Sequence, residues 1–147
     1  EVVPDVVSLA KALGSGIPVG ACLVSEELAR SIKENDLGTT FGGGMVAMAA
    51  VKATLDVIEA DGLTGNARNI EKWVRDACAS NADVKAVHGK GCLLGIEFEN
   101  GARPVYQKLL GEKIITGLSS DPNVLRLLPP LNVSESEIAL FAEALNR

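Results

Sequence analysis

The amino-acid composition and the pattern of apolar residues change near residues 61–66. Before this point, short apolar runs and glycine-rich turns lead into a long stretch of small apolar residues, whereas after it strand-like runs alternate with helices that have one apolar face. The total of 147 residues fits one ordinary domain, or a small domain plus a piece of another. We therefore predict an α/β chain in which residues 1–62 are the end of a parallel α/β layer and residues 63–147 are a small α+β domain.

Local signals predict the elements of the first part. Residues 6–9 and 19–24 are apolar runs suited to buried strands. Ser25, followed by two glutamates, predicts the start of a short helix that ends near residue 35. The small apolar residues of 45–59 predict a helix that is buried on most sides.

In the second part, hydrophobic periodicity predicts alternating helices and strands. The first helix has apolar residues at spacings of three and four, and the last begins at a capping box made by Ser134 and Glu137. The predicted helices are 64–82, 103–110 and the segment after Ser134, and the predicted strands are 84–88, 93–98, 114–116 and 124–128.

Composition excludes several classes of function. Apolar residues make up 47 % of the chain, which is enough for a core. The net charge of −5 comes from interspersed charges without a basic run, so we expect no nucleic-acid partner. No apolar run approaches the length of a membrane span. One histidine and three separated cysteines make a metal site improbable, and they favour a reducing, cytoplasmic location.

Lys11 is the first candidate for chemistry. It follows an apolar strand and precedes the turn Gly14–Gly16, so it would lie where α/β sheets place their ligands. Desolvation at such a place favours the free amine, which condenses with aldehydes. A surface lysine that opens a helix is the alternative interpretation of the same spacing.

The glycine-rich segment 38–44 is the second candidate. Its glycines allow the backbone to approach an anion, and the hydroxyl groups of Thr39 and Thr40 together with the following helix N-terminus suit phosphate oxygens. No Gly-Lys-Ser/Thr sequence follows, so the segment is not a P-loop. A purely structural turn is the alternative.

Arg126 is the third candidate, because it is a single arginine within the apolar run 124–130. If it is buried, its guanidinium needs an anionic partner. A substrate carboxylate bound through two hydrogen bonds would serve, and so would a structural ion pair.

Together these segments resemble a known family. Residues 4–21 resemble the cofactor-lysine signature of class III aminotransferases, which depend on pyridoxal 5'-phosphate (PLP). Residues 38–43 resemble the family's phosphate-binding turn, residues 87–97 its small-domain β-hairpin, and residues 125–131 its C-terminal arginine motif. All four occur in the family's order, and the group around acetylornithine and succinylornithine aminotransferases is the most similar.

The resemblance implies a fold and a role for each site residue. The fold would be the C-terminal part of a fold type I PLP-binding large domain, followed by the small domain. Lys11 would form the Schiff base with PLP. Thr40, with Thr39 beside it, would bind the cofactor phosphate across a homodimer interface, and Arg126 would bind a substrate carboxylate.

The implied activity is transfer of an amino group from an ornithine-like amine, such as N-acetylornithine, to 2-oxoglutarate. The resemblance also implies a place in arginine biosynthesis. Mutases and racemases of related folds share the lysine chemistry, and amine transfer that depends on an oxo acid would distinguish them.

The chain departs from the family pattern at some positions. Gly44 and Met45 replace a common Asn-Pro pair, and His88, which we interpret as a strand residue, replaces a common arginine. The family's other cofactor-binding residues lie upstream of its lysine, so we expect this chain to be a fragment. The alternative to an aminotransferase is then a catalytically inert domain that folds or self-associates without PLP. The strand 19–24 would have an open edge, which favours self-association or rearrangement.

Overall fold

The computed structural model describes residues 2–147. The chain forms two compact units, Glu1–Asp61 and Gly62–Arg147. Among the described residues, no helix is both long enough and apolar enough to span a bilayer.

The first unit contains two strands, β1 (Val6–Leu9) and β2 (Ala21–Val24), joined through the 3-10 turn Lys11–Gly14. The strands pair antiparallel, with Val6 opposite Val24. The predicted parallel arrangement was therefore wrong for these strands. The connection between them is a short series of turns, whereas a parallel pair requires a crossover of roughly a dozen residues or more, usually a helix.

Helix α1 (Glu26–Ala29) begins at Ser25, whose Oγ accepts a hydrogen bond from the backbone N–H of Leu28 at 3.4 Å. The predicted helix start is confirmed, but the predicted end near residue 35 was wrong. After Arg30 the helical bonding pattern stops. The backbone N–H groups of Ser31 and Ile32 donate to the carbonyls three residues back, and the Ser31 hydroxyl donates to the Leu28 carbonyl at 2.7 Å. Such local hydrogen bonds offer the backbone an alternative to the helix.

Helix α2 (Met45–Ala60) matches the predicted long helix, but its predicted burial was wrong. None of its residues is fully buried, and Met45, Val46 and Leu55 are among its exposed apolar side chains. Within its own unit, the helix contacts mainly the 3-10 turn.

The second unit is a four-stranded antiparallel sheet with three helices. Helix α3 (Leu63–Ala79) precedes strands β3 (Val84–Lys90) and β4 (Leu93–Phe98). Helix α4 (Arg103–Gly111), strands β5 (Gly117–Leu118) and β6 (Val124–Leu127), and helix α5 (Glu135–Asn146) complete the unit. The strand order is β3-β4-β6-β5.

One face of this sheet forms the core with the helices. Alternate residues of β4 and β6, including Leu94, Ile96 and Leu125, are fully buried, as period-two alternation requires. The rest of the core consists of buried helical and loop side chains: Ile70, Val74, Cys78, Ala102, Leu109, Ile138, Phe141, Ala144 and Leu145.

Two boundaries test the prediction for this unit. The capping box is confirmed: Ser134 Oγ accepts from the backbone N–H of Glu137, and the Glu137 side chain accepts from the backbone N–H of Ser134. The predicted strand 114–116 was wrong, since β5 starts at Gly117. Lys113 has a φ of 63° and the backbone N–H of Ile114 bonds to Leu109, so these residues still terminate α4.

Candidate functional site

Lys11 begins the 3-10 turn that follows β1 and has a left-handed backbone, with a φ of 62°. For a residue with a Cβ this conformation costs about 1–2 kcal/mol, and it persists only where the surroundings impose it. The Lys11 side chain is exposed, and within residues 2–147 it forms no ion pair or hydrogen bond. The expected desolvation of Lys11 is therefore not supplied by the described residues.

Tight packing holds the turn that carries Lys11. Gly14 is buried, and a Cβ there would lie 2.7 Å from Val19 Cγ1. Ser15 closes the turn in a left-handed conformation, and its backbone N–H donates to the Ala12 carbonyl at 3.0 Å. Thr54 Oγ1, on helix α2, lies 3.3 Å from Ser15 Oγ, so the two hydroxyls are within hydrogen-bond distance. Helix α2 therefore braces the turn.

The glycine-rich segment 38–44 lies directly before helix α2, as predicted. Thr39 and Thr40 are both exposed. A Cβ at Gly42 would overlap Thr39 Cγ2, and Gly43 has a φ of 72°, so both glycines are required by the geometry of this turn. No hydrogen bond joins Lys11 to either threonine in the described part of the chain.

Arg126 belongs to the second unit, on the face of the sheet opposite the core. It lies in β6 between Gly95 of β4 and Gly117 of β5. Its side chain is exposed, so the condition of burial, under which the guanidinium would need a partner, is not met. The alternative of a structural ion pair is not realised within residues 2–147, where the guanidinium has no carboxylate partner. Its donors are therefore free for an external anion.

A shallow, largely apolar depression of about 210 Å³ adjoins Arg126. Leu93 and Val124 supply apolar atoms, and His88 lies at the same depression. A carboxylate ligand with an aliphatic portion suits this combination. The guanidinium can bind the carboxylate, and the apolar atoms of the depression can contact the aliphatic portion of the ligand.

Glu97 lies on the outer face of the same sheet. It was not among the candidate residues predicted from the sequence. Its carboxylate oxygens lie 2.7 Å from Lys85 Nζ and 2.8 Å from His88 Nε2. The hydrogen bond from Lys85, followed by that from His88, lowers the pKa of Glu97. The signal that could have found it is the alternation of strand 93–98, which places Glu97 opposite the core face. His88 is confirmed as a strand residue.

The groups collected in the first unit have the chemistry that PLP needs from a protein. The Lys11 amine is free to condense with an aldehyde, and the exposed hydroxyls of Thr39 and Thr40 can donate to a phosphate. The donor set therefore fits the cofactor. In the described part of the chain, no three His, Cys, Asp or Glu side chains group as a metal site would require.

Comparison with known sequences gives a match along the whole chain. The model of the family described as aminotransferase class-III matches residues 1–147. Acetylornithine aminotransferase of Bacillus subtilis is 37 % identical over 139 residues, which cover 92 % of this chain and 36 % of that protein. The enzyme of the same name from Oceanobacillus iheyensis is 39 % identical over 146 residues, with 97 % and 36 % covered. The chain thus spans about a third of the length of these curated relatives.

Solved structures agree with the sequence comparison. Acetylornithine aminotransferase from Elizabethkingia anophelis has a TM-score of 0.85 and 27 % identity, covering 99 % of this chain and 38 % of that one. Ornithine aminotransferase from Toxoplasma gondii has a TM-score of 0.85 and 25 % identity, and it covers 99 % of this chain and 36 % of that one. Another structure of the T. gondii enzyme is described with partial occupancy of PLP at its active site. The α/β fold is therefore that of PLP-dependent aminotransferases, and the chain belongs to the class III aminotransferase family.

Proposed function

We propose that this chain supplies the cofactor lysine and the substrate-binding arginine of a PLP-dependent aminotransferase. In this proposal the first unit is the end of the large domain and the second unit is the small C-terminal domain. The observation that carries the proposal is the amine of Lys11, which is exposed, unpaired within the described residues and held on a left-handed turn braced by helix α2.

Lys11 has two tasks in the proposed reaction. Its Nζ would hold the cofactor covalently, and the same amine would act as the acid and base that moves a proton at the reacting carbon. When bound, PLP supplies an electron sink for the negative charge that develops on the substrate carbon. The left-handed turn fixes the position of the Lys11 backbone, from which the side chain extends.

Thr40 and Thr39 are the proposed phosphate ligands. Their hydroxyls are exposed in a turn whose shape is fixed by Gly42 and Gly43. We assign them to the cofactor of the neighbouring subunit in a homodimer. This assignment rests on the resemblance of residues 38–43 to the phosphate-binding turn of the family that the chain matches.

Arg126 would bind a carboxylate of each substrate in turn. We propose an ornithine-like amine, for example N-acetylornithine, as amino donor and 2-oxoglutarate as acceptor, in arginine biosynthesis. The free guanidinium and the names of the relatives support this choice. We also propose a cytoplasmic location, supported by the unpaired state of Cys22, Cys78 and Cys92.

Trapping the cofactor on the protein tests the role of Lys11. PLP is added to the intact natural protein, borohydride is added, and the modified peptide is identified by mass spectrometry. We expect a near-visible absorption band and a label on Lys11. Lys11→Ala should abolish both, whereas Lys33→Ala, at another exposed lysine of the same unit, should change neither. A label that persists in Lys11→Ala would refute the assignment.

Transfer of labelled nitrogen tests the reaction class. With N-acetylornithine carrying ¹⁵N in its reactive amino group, and with 2-oxoglutarate, we expect ¹⁵N-glutamate. Conversion of the amine without any oxo acid would instead indicate a mutase or racemase.

A second candidate is a self-associating domain without cofactor. Within residues 2–61 only Gly14 is fully buried, and a set of large apolar side chains is exposed. A monomer rarely leaves such a surface uncovered. The side chains in question include Leu23, Leu37, Phe41, Met45, Val46, Leu55 and Val57.

Sedimentation with and without PLP separates the two candidates. The aminotransferase proposal expects an assembly that binds PLP at Lys11. An assembly that leaves added PLP unbound would favour the inert domain.

A further inference from the structure

Arg126 has a glycine on each side of it in the sheet. Gly95 of β4 and Gly117 of β5 are its two cross-strand neighbours, on the face that points away from the core. Side chains directly opposite one another in a sheet normally contact, so a glycine at such a position leaves the surface of the neighbouring strand open.

The two glycines are not equivalent. A Cβ at Gly117 would lie 3.2 Å from Arg126 Nε and 3.3 Å from Arg126 Nη2, tighter than ordinary van der Waals contact. A Cβ at Gly95 would instead meet Val124 Cγ1 at 3.0 Å. The guanidinium of Arg126 therefore lies over β5, in the space that a side chain at position 117 would occupy.

The backbone does not explain the glycine at position 117. Gly117 is not among the glycines with positive φ, so an alanine could adopt the same backbone. What the glycine provides is room for the planar guanidinium. Contact with the backbone of β5 limits the orientations of the Arg126 side chain. Fewer orientations are then lost when a ligand binds, and the N–H donors point in a defined direction.

We propose that Gly117 is a positioning residue, whose missing side chain allows the Arg126 guanidinium to lie against β5 in the orientation that binds a substrate carboxylate. This inference rests on the proposed function of Arg126. It adds a residue that contacts no substrate and acts only through the arginine.

The substitution Gly117→Ala in the intact natural protein tests the inference. The added methyl group should displace the guanidinium and raise both the Kd for glutarate, a non-reacting dicarboxylate, and the KM for 2-oxoglutarate. We expect a change of roughly tenfold, the effect of misplacing one of two charge-assisted hydrogen bonds. The kcat and the affinity for PLP should stay unchanged. Gly111→Ala, at the end of α4, is the matched control, since a Cβ there meets nothing within 4 Å.

A double-mutant cycle with Arg126→Lys separates positioning from a general structural effect. A lysine has no guanidinium to displace, so Gly117→Ala should change glutarate affinity much less in the Arg126→Lys background. Equal effects in both backgrounds would overturn the inference. If Gly117→Ala does not fold, Arg126→Ala/Gly117→Ala should fold, because the group that the new Cβ meets is gone. Failure of that double variant to fold would also overturn it.

The outcomes distinguish the proposed function of Arg126 from the positioning role of Gly117. If Arg126→Ala leaves the Kd for glutarate unchanged, the proposed function of Arg126 fails, and the role of Gly117 fails with it. If Arg126→Ala weakens binding but Gly117→Ala does not, only the positioning role is wrong.

Discussion

The carboxylate of Glu71 accepts a hydrogen bond from the backbone N–H of Gly91 at 2.8 Å, and this bond joins helix α3 to the turn of the β3-β4 hairpin. The neighbouring Arg75 strengthens the junction. Its Nε donates to the other oxygen of Glu71 at 3.1 Å, and its Nη atoms donate to the carbonyls of Val87 and Gly89. The Glu71 side chain is only 16 % exposed.

This junction predicts a dependence of stability on pH. The hydrogen bond from Gly91, the largest cause, lowers the pKa of Glu71 below its ordinary value of 4.5. Because the folded-state pKa is depressed, the stabilisation is fully present above pH 4.5 and is lost as the pH falls through the folded-state value. Glu71→Gln should therefore weaken the pH dependence of unfolding below pH 4.5.

The measurement is urea unfolding followed by the fluorescence of Trp73, the only tryptophan of the chain, which packs against the core of the second unit. Glu99→Gln, at an exposed position after β4, is the control and should retain the acid dependence of the parent. An unchanged acid dependence in Glu71→Gln would contradict the prediction.

Leu125 should be a major contributor to the stability of the second unit. It is 0 % exposed, at the centre of the sheet in β6. Leu125→Ala should cost about 2–5 kcal/mol of unfolding free energy, because it removes buried apolar area and leaves a cavity. Leu128→Ala, at a side chain that is 57 % exposed, should cost far less by the same measurement. Equal losses would show that the outer face is also covered.

Thr116 has a buried hydroxyl oxygen without a hydrogen-bond partner among the described residues. Thr116→Val replaces the hydroxyl with a methyl group of similar size, so it should stabilise the second unit by about 1 kcal/mol. Thr64→Val, at an exposed position in α3, should have no comparable effect. Destabilisation by Thr116→Val would instead indicate that this oxygen has a partner in solution.

Ser134 is the N-cap of helix α5, and its Oγ accepts from the backbone N–H of Glu137 at 3.3 Å. Ser134→Ala should lower the unfolding free energy by about 1 kcal/mol, since the cap bond is lost. Ser120→Ala, at an exposed residue outside any helix or strand, is the control in the same unfolding series. A loss in the control as large as that in Ser134→Ala would argue against the capping role.

Thr40→Ala should weaken PLP binding by the intact protein on the order of tenfold, the effect of losing one hydrogen bond to a charged phosphate. The measurement is a titration with PLP followed by absorbance. Thr64→Ala should leave the affinity unchanged, because Thr64 belongs to the second unit. Equal affinities in Thr40→Ala and the parent would remove Thr40 from the proposed phosphate site.

Much of the secondary structure could be predicted from local signals. The capping box at Ser134, the cap at Ser25 and the apolar periodicity of the segment after Gly62 each depend on residues within one or two helical turns. Two of the errors occurred where longer-range geometry decides. The antiparallel pairing of β1 with β2 and the exposure of α2 depend on which surfaces meet, and no local pattern encodes that.

The sequence by itself determined the family and the identity of the candidate residues, because Lys11, Thr40 and Arg126 each lie within a recognisable motif. Only the tertiary structure decided their surroundings. The left-handed backbone of Lys11 accompanies the packing of Gly14 and the bracing of the turn by Thr54, and the place of Arg126 over Gly117 depends on the register of β5 against β6. These relationships join residues from different elements, so they exist only once the chain has folded and its elements have packed.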